Sequence, residues 1–98
     1  MPSFRITLTV GVLRPGVHPA SVLPLAAATA AALTTVEASN LTVVADTPRL
    51  TVRYTADDPA SAARIGQAVL ATTTGLAAVT RSTLTQRVGG RWMPPSSH

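Results

Sequence analysis

Ninety-eight residues, a formal net charge of +4 and no cysteine describe one domain able to bury a core without staples, and they exclude a disulfide framework, a thiolate nucleophile and a zinc–thiolate site. All eight basic side chains are arginine, yet charged residues make up only 12% of the chain, so its pull on polyanions is modest. The apolar run from Val22 to Leu33 is too short and alanine-rich to span a bilayer, and treating it with Val36-Glu37-Ala38 as a cleaved leader would discard the best strand in the chain. A cytoplasmic protein with no membrane partner is expected.

The chain opens on period-2 alternation. Phe4, Ile6, Leu8, Val10 and Val12 fall on one face of a strand, and Arg5, Thr7 and Thr9 fall on the other. Leu13 to Pro19 carries helix breakers and the turn dipeptide Pro15-Gly16. Val22, Leu25, Ala26, Thr29 and Leu33 then recur at helical spacing, with Pro19 and Pro24 tolerated only near the first turns.

A second strand is expected over residues 36–45, a turn at Asp46-Thr47-Pro48-Arg49, and a third strand from Leu50 to Thr55. Asp58 reads as an N-cap and Pro59 as the first helical residue. Ala62, Ile65, Val69, Thr72 and Leu76 form one helical stripe, with Gly75 in position to cap it. A last strand runs from about residue 78 to Val88, ended by Gly89-Gly90.

The order β-α-β-β-α-β predicts a ferredoxin-like α+β sandwich, a four-stranded antiparallel sheet with two helices on one face. Right-handed crossovers put strands one and three at its centre. The domain is expected over residues 1–88, followed by a Gly-Gly hinge and a Pro/Ser-rich tail over 89–98 that frays at its end.

The uncovered face collects Arg5, Thr7, Thr9, Thr51, Arg53, Thr55, Arg81, Thr83, Thr85 and Arg87. Three uses fit this threonine surface studded with arginine: a solvated sheet face, a surface on which two copies pack, or a basic nucleic-acid platform working through Arg5, Arg53, Arg81 and Arg87. Base stacking is disfavoured because the central strands hold no outward aromatic ring, Tyr54 pointing by parity toward the helices.

Beyond the double glycine, Arg91 and Trp92 have the composition of an interface anchor, the alternative being that the indole seals its own domain. Asp46 suits a turn, Asp58 has its capping role, and the adjacent pair Asp57-Asp58 makes a poor chelate without further ligands, so no metal and no cofactor is expected. His18 lacks an evident positioned partner for general-base work.

Arg14, Gly16 and His18 outline a candidate anion-binding loop at the start of the first helix. In topology the chain resembles the acylphosphatases, which use an arginine in the corresponding loop and an asparagine on strand two, a role that the resemblance would give to Asn40. The segment Gly11 to His18 lacks that family's loop pattern, so the parallel is one of fold. The sequence favours a small non-enzymatic binding or assembly module, forming a homo-oligomer or part of a larger complex through the sheet face and Trp92. A basic nucleic-acid-binding module and an acylphosphatase-like enzyme built on Arg14 are the alternatives.

Overall fold

The alternation of the first strand sets the architecture. In the computed structural model, which describes residues 1–95, β1 (Ser3–Leu13) buries Phe4, Ile6, Leu8 and Val10 beneath two helices. Residues 96–98 of the expected tail lie outside the described residues. After a short 3₁₀ turn at Pro19–Ser21, the chain continues through α1 (Val22–Ala31), β2 (Val36–Val44), β3 (Thr47–Thr55), α2 (Pro59–Leu76), β4 (Ala77–Val88) and β5 (Arg91–Met93). The antiparallel sheet runs β2-β3-β1-β4-β5. Strands one and three are therefore central, as the crossover argument required.

The expected four-stranded sheet has a fifth strand. Gly89 and Gly90 adopt φ of +55° and +82°, a left-handed pair that reverses the chain within two residues, as tight hairpins demand. Arg91 to Met93 then pair back onto Val88 to Gln86. The expected hinge is thus a turn, and the first part of the expected tail is sheet.

The second hairpin also differs. Ala45 and Asp46 are the two turn residues, with φ of 51° and 64°, so β3 starts at Thr47 and includes Pro48 and Arg49. Proline misled the reading because it usually interrupts a ladder. Here Pro48 pairs with Val43 on one side and lies beyond Thr9↔Arg49, the last β1–β3 pair, so its missing N–H breaks no bond to β1.

Val12 was expected in the core and is 81% exposed. The β1–β4 register shifts between Thr9 and Val10 and again between Val10 and Leu13. Such an irregularity resets the alternation. Leu13 packs on the core in place of Val12.

Helix α1 turns Val22, Ala26 and Ala30 inward, while Leu25 and Leu33, expected to help form its buried stripe, are exposed. Helix α2 starts as read: the Asp58 carboxylate accepts from the Ser61 amide at 2.7 Å, and Pro59 follows. It buries Ala62, Gly66, Val69 and Thr73. Gly75 lies inside the helix and caps nothing, because Ala77 is already extended and begins β4.

The helices meet through Thr29 and Thr72, whose hydroxyls are 2.8 Å apart. Tyr54 crosses from β3 into α2, donating to the Ala62 carbonyl at 2.7 Å, and its complete burial pushes the phenol up to about 12. Among the described residues, no helix is long and apolar enough to cross a membrane.

Candidate functional site

Three places were marked by the sequence or by the fold: the Arg14 loop, the open sheet face and an apolar cleft at the far end of β1. In the loop, Gly16 takes a φ of 81° in the turn that follows β1. Arg14 reaches in a direction the anion-binding reading did not foresee. Its Nε and Nη2 both donate to the Thr74 carbonyl, at 3.2 and 3.1 Å, and its amide donates to the Leu76 carbonyl at 2.8 Å.

A guanidinium on the terminal carbonyls of α2 complements the negative end of that helix, which leaves it poorly placed for phosphate. His18 precedes the 3₁₀ turn, and its Nδ1 accepts from the Ala20 amide at 3.3 Å. In a neutral ring this leaves the proton on Nε2. Asn40 pairs with Thr51 in the sheet, remote in register from the loop, so the arginine and asparagine of the acylphosphatase parallel are not brought together.

On the open face, the register sets Arg5 beside Arg53 and Thr85, Thr7 between Thr51 and Thr83, and Thr9 between Arg49 and Arg81. The expected carpet forms, with Arg49 added because β3 begins earlier than its proline suggested. Trp92 pairs with Arg87 at the edge and folds over this same face. Its ring lies 4.5 Å from the Arg5 guanidinium carbon, 5.4 Å from that of Arg53 and 5.9 Å from that of Arg87.

Planar, weakly hydrated guanidinium groups favour such aromatic contacts. The indole is therefore half-buried against its own sheet, neither a free anchor on a hinge nor a plug for the apolar core. Arg91 pairs with Val88, and strand alternation turns it away from Trp92.

Glu37 is the acidic member of this face. It sits where the β2–β3 register shifts between Val36 and Ala38. Its Oε1 accepts from the Ser3 hydroxyl at 2.6 Å and from Arg53 Nε at 3.2 Å. The Ser3 hydroxyl foremost, then the Arg53 and Arg87 guanidinium charges, hold this carboxyl below the usual carboxylate range.

The third place was missed by the sequence reading. A cleft of about 190 Å³ opens between the end of β1, the start of α1 and the β2–β3 hairpin, lined by Val10, Gly11, Leu13, Pro19, Val22, Leu41 and Pro48. It exists because α1 does not reach over the sheet edge. Leu41 and Val43, on the helix side through their pairing with Leu50 and Pro48, stay 52% and 64% exposed.

The irregular end of β1 supplies Gly11 and Leu13 to the wall, and the 3₁₀ turn supplies Pro19. No side chain of this lining titrates, so the cleft offers shape, apolar contact and exclusion of water. The two features that make it, the register shift and the uncovered edge, leave no mark in local composition.

Fold and surfaces together define an α+β protein of ferredoxin-like topology with an apolar cleft on the helix side and an arginine-rich open face. No family model and no curated protein matches the sequence. The chain is similar in structure to a solved protein from Chloroflexus aurantiacus J-10-fl designated a candidate antibiotic biosynthesis monooxygenase. The TM-score is 0.53 at 16% identity, covering 91% of this chain and 96% of that one.

At that identity the likeness establishes the fold, over nearly the full length of both chains. It also corrects the functional expectation: the non-enzymatic assembly module, the nucleic-acid-binding module and the acylphosphatase-like enzyme give way, since this fold is shared with a structure designated a monooxygenase.

Proposed function

We propose that the chain is a cytoplasmic, enzyme-like protein that binds a small apolar organic molecule in the cleft beside the irregular end of β1. The observation that carries this reading is the cleft itself, a concave site of about 190 Å³ walled by aliphatic side chains, proline and glycine from five separate elements. That lining suits a molecule of about one ring. The likeness to the Chloroflexus protein supports the same reading and suggests oxygenation as the reaction.

In a monooxygenation one atom of O2 enters the substrate and the other leaves as water, so two further electrons must come from the substrate or an added reductant. The role of this chain's residues is to hold the molecule and exclude bulk water from it. Leu41 forms the sheet-edge wall and Val22 the helix wall.

The test pairs calorimetric titration of single-ring phenols and quinols with an oxygen electrode, with and without ascorbate. Saturable binding with oxygen uptake above the buffer rate is expected. Leu41→Asp, at a side chain already half exposed, should weaken binding at least about tenfold by placing a charge on an apolar wall. Absence of saturable binding across the panel, or binding unchanged in Leu41→Asp, refutes the assignment.

A further inference from the structure

The open face carries a concentration of like charge that the cleft does not use. Arg5, Arg49, Arg53, Arg81 and Arg87 share it with one carboxylate, Glu37, which is engaged by Arg53. The Nε of Arg5 is buried without a hydrogen-bond partner among the described residues. No acceptor of the protein engages that atom, so the Arg5 guanidinium keeps its charge uncompensated by a hydrogen bond there.

Two further observations define what kind of acceptor. Arg5, Arg49 and Arg81 line a shallow trough of about 320 Å³ together with the threonines between them, a volume suited to a small molecule. At its end Trp92 holds Arg5 within 4.5 Å of its ring centre and Arg53 and Arg87 within 6 Å. Stacking on Trp92 fixes the Arg5 guanidinium at the end of the trough, Arg53 stays paired with Glu37, and Arg87 adds to the positive field.

From this juxtaposition we propose that the trough is a second ligand site, one that binds a small molecule bearing two or more oxyanionic groups, phosphate or carboxylate. Arg5 and Arg81 would take the anionic oxygens as paired donors, and the threonine hydroxyls would donate to the rest. The site is separate from the apolar cleft. The same positive field opposes the packing of two such faces on one another, which makes a second copy the weaker occupant.

Trp92 is the sole tryptophan, so its emission reports on this site directly. The experiment titrates pyrophosphate and, separately, citrate into the protein at constant ionic strength, following Trp92 fluorescence and, by light scattering, the mass. A saturable change at unchanged mass is expected.

Arg81→Gln, which leaves the tryptophan contacts intact, should weaken it about tenfold, and Arg5→Gln at least as much. Arg64→Gln on α2 should leave it unchanged, as should Leu41→Asp in the cleft, so the two sites succeed or fail independently. Calorimetry on Arg81→Gln supplies a readout independent of the indole. No saturable change with either anion overturns the proposal, and so does equal binding in Arg81→Gln. Preferential binding of oligonucleotides with affinity rising with length would make the face a polyanion surface, and a doubling of mass would make it a self-association surface. Either result also overturns it.

Discussion

Gly66 and Tyr54 offer a test of how tightly α2 is seated. Glycine in the middle of an 18-residue helix costs about 1 kcal/mol relative to alanine, so Gly66→Ala on an open helix face would stabilise. Here a Cβ built on Gly66 meets the Tyr54 hydroxyl at 3.2 Å and Ile6 Cδ1 at 3.5 Å. The second distance is an ordinary contact, whereas the first requires the hydroxyl to move by a few tenths of an ångström. That hydroxyl is held at 2.7 Å by the Ala62 carbonyl and cannot move without stretching its hydrogen bond.

Gly66→Ala alone should therefore gain nothing or lose stability. Tyr54→Phe alone should cost about 1 kcal/mol, the net value of a buried hydrogen bond whose acceptor keeps a place in the helix ladder. Once the hydroxyl is gone, Gly66→Ala should deliver its helical gain of about 1 kcal/mol. The double-mutant cycle, measured by urea denaturation followed by circular dichroism, should show a coupling of about 1 kcal/mol. Additivity to within about 0.3 kcal/mol would mean that the helix shifts freely on the sheet and that the 3.2 Å approach constrains nothing.

Other outcomes follow from the same geometry. Replacing Ala45-Asp46 by Asn-Gly should raise stability by about 1 kcal/mol, since both residues hold positive φ and Asn-Gly suits such a turn; an unchanged melting temperature would refute the strain. Burial raises the Tyr54 pKa to about 12, so the stability it contributes is fully present below about pH 10 and is lost as pH rises toward 12. Tyr54→Phe should flatten that part of the alkaline unfolding profile.

For Asp58 the sign is reversed. The Ser61 amide holds its carboxyl below the ordinary value, so its contribution is present at neutral pH and lost as pH falls through the depressed pKa. Asp58→Ala should lower the melting temperature at pH 7, with the difference from the parent shrinking toward pH 2.

How far the fold was readable depended on the range of the signal. Phe4 to Val10 and Leu50 to Tyr54 announced themselves because alternation is written into neighbouring residues, and Asp58-Pro59 because capping chemistry is local. The strand order then followed from crossover handedness.

Val12 was misread because the register shift that expels it arises from how β1 meets β4, more than sixty residues away in the chain. Gly75 was misread because α2 passes straight into β4 without a left-handed cap. Pro48 hid the start of β3, and with it Arg49's place on the open face. Of the candidate site residues, Arg5, Arg53, Arg81 and Arg87 could be grouped by parity alone. Trp92 joined them only through a hairpin that the double glycine signals equally well as a hinge, and the cleft depends on how far α1 extends over the sheet.

The central position of β1 has a consequence for how the protein is made. Its partners are residues 49–55 of β3 and residues 77–86 of β4, so β1 is synthesised before either of them and waits for β4 before its second ladder can close. Both short-range hairpins, β2–β3 and β4–β5, can form as they emerge, whereas Phe4, Ile6, Leu8 and Val10 leave the ribosome as an apolar ribbon with no complete cover. During that interval β1 is the part of the nascent domain most in need of a holdase, and a fusion partner that shields it from its own side should raise soluble yield more than one placed beyond β5.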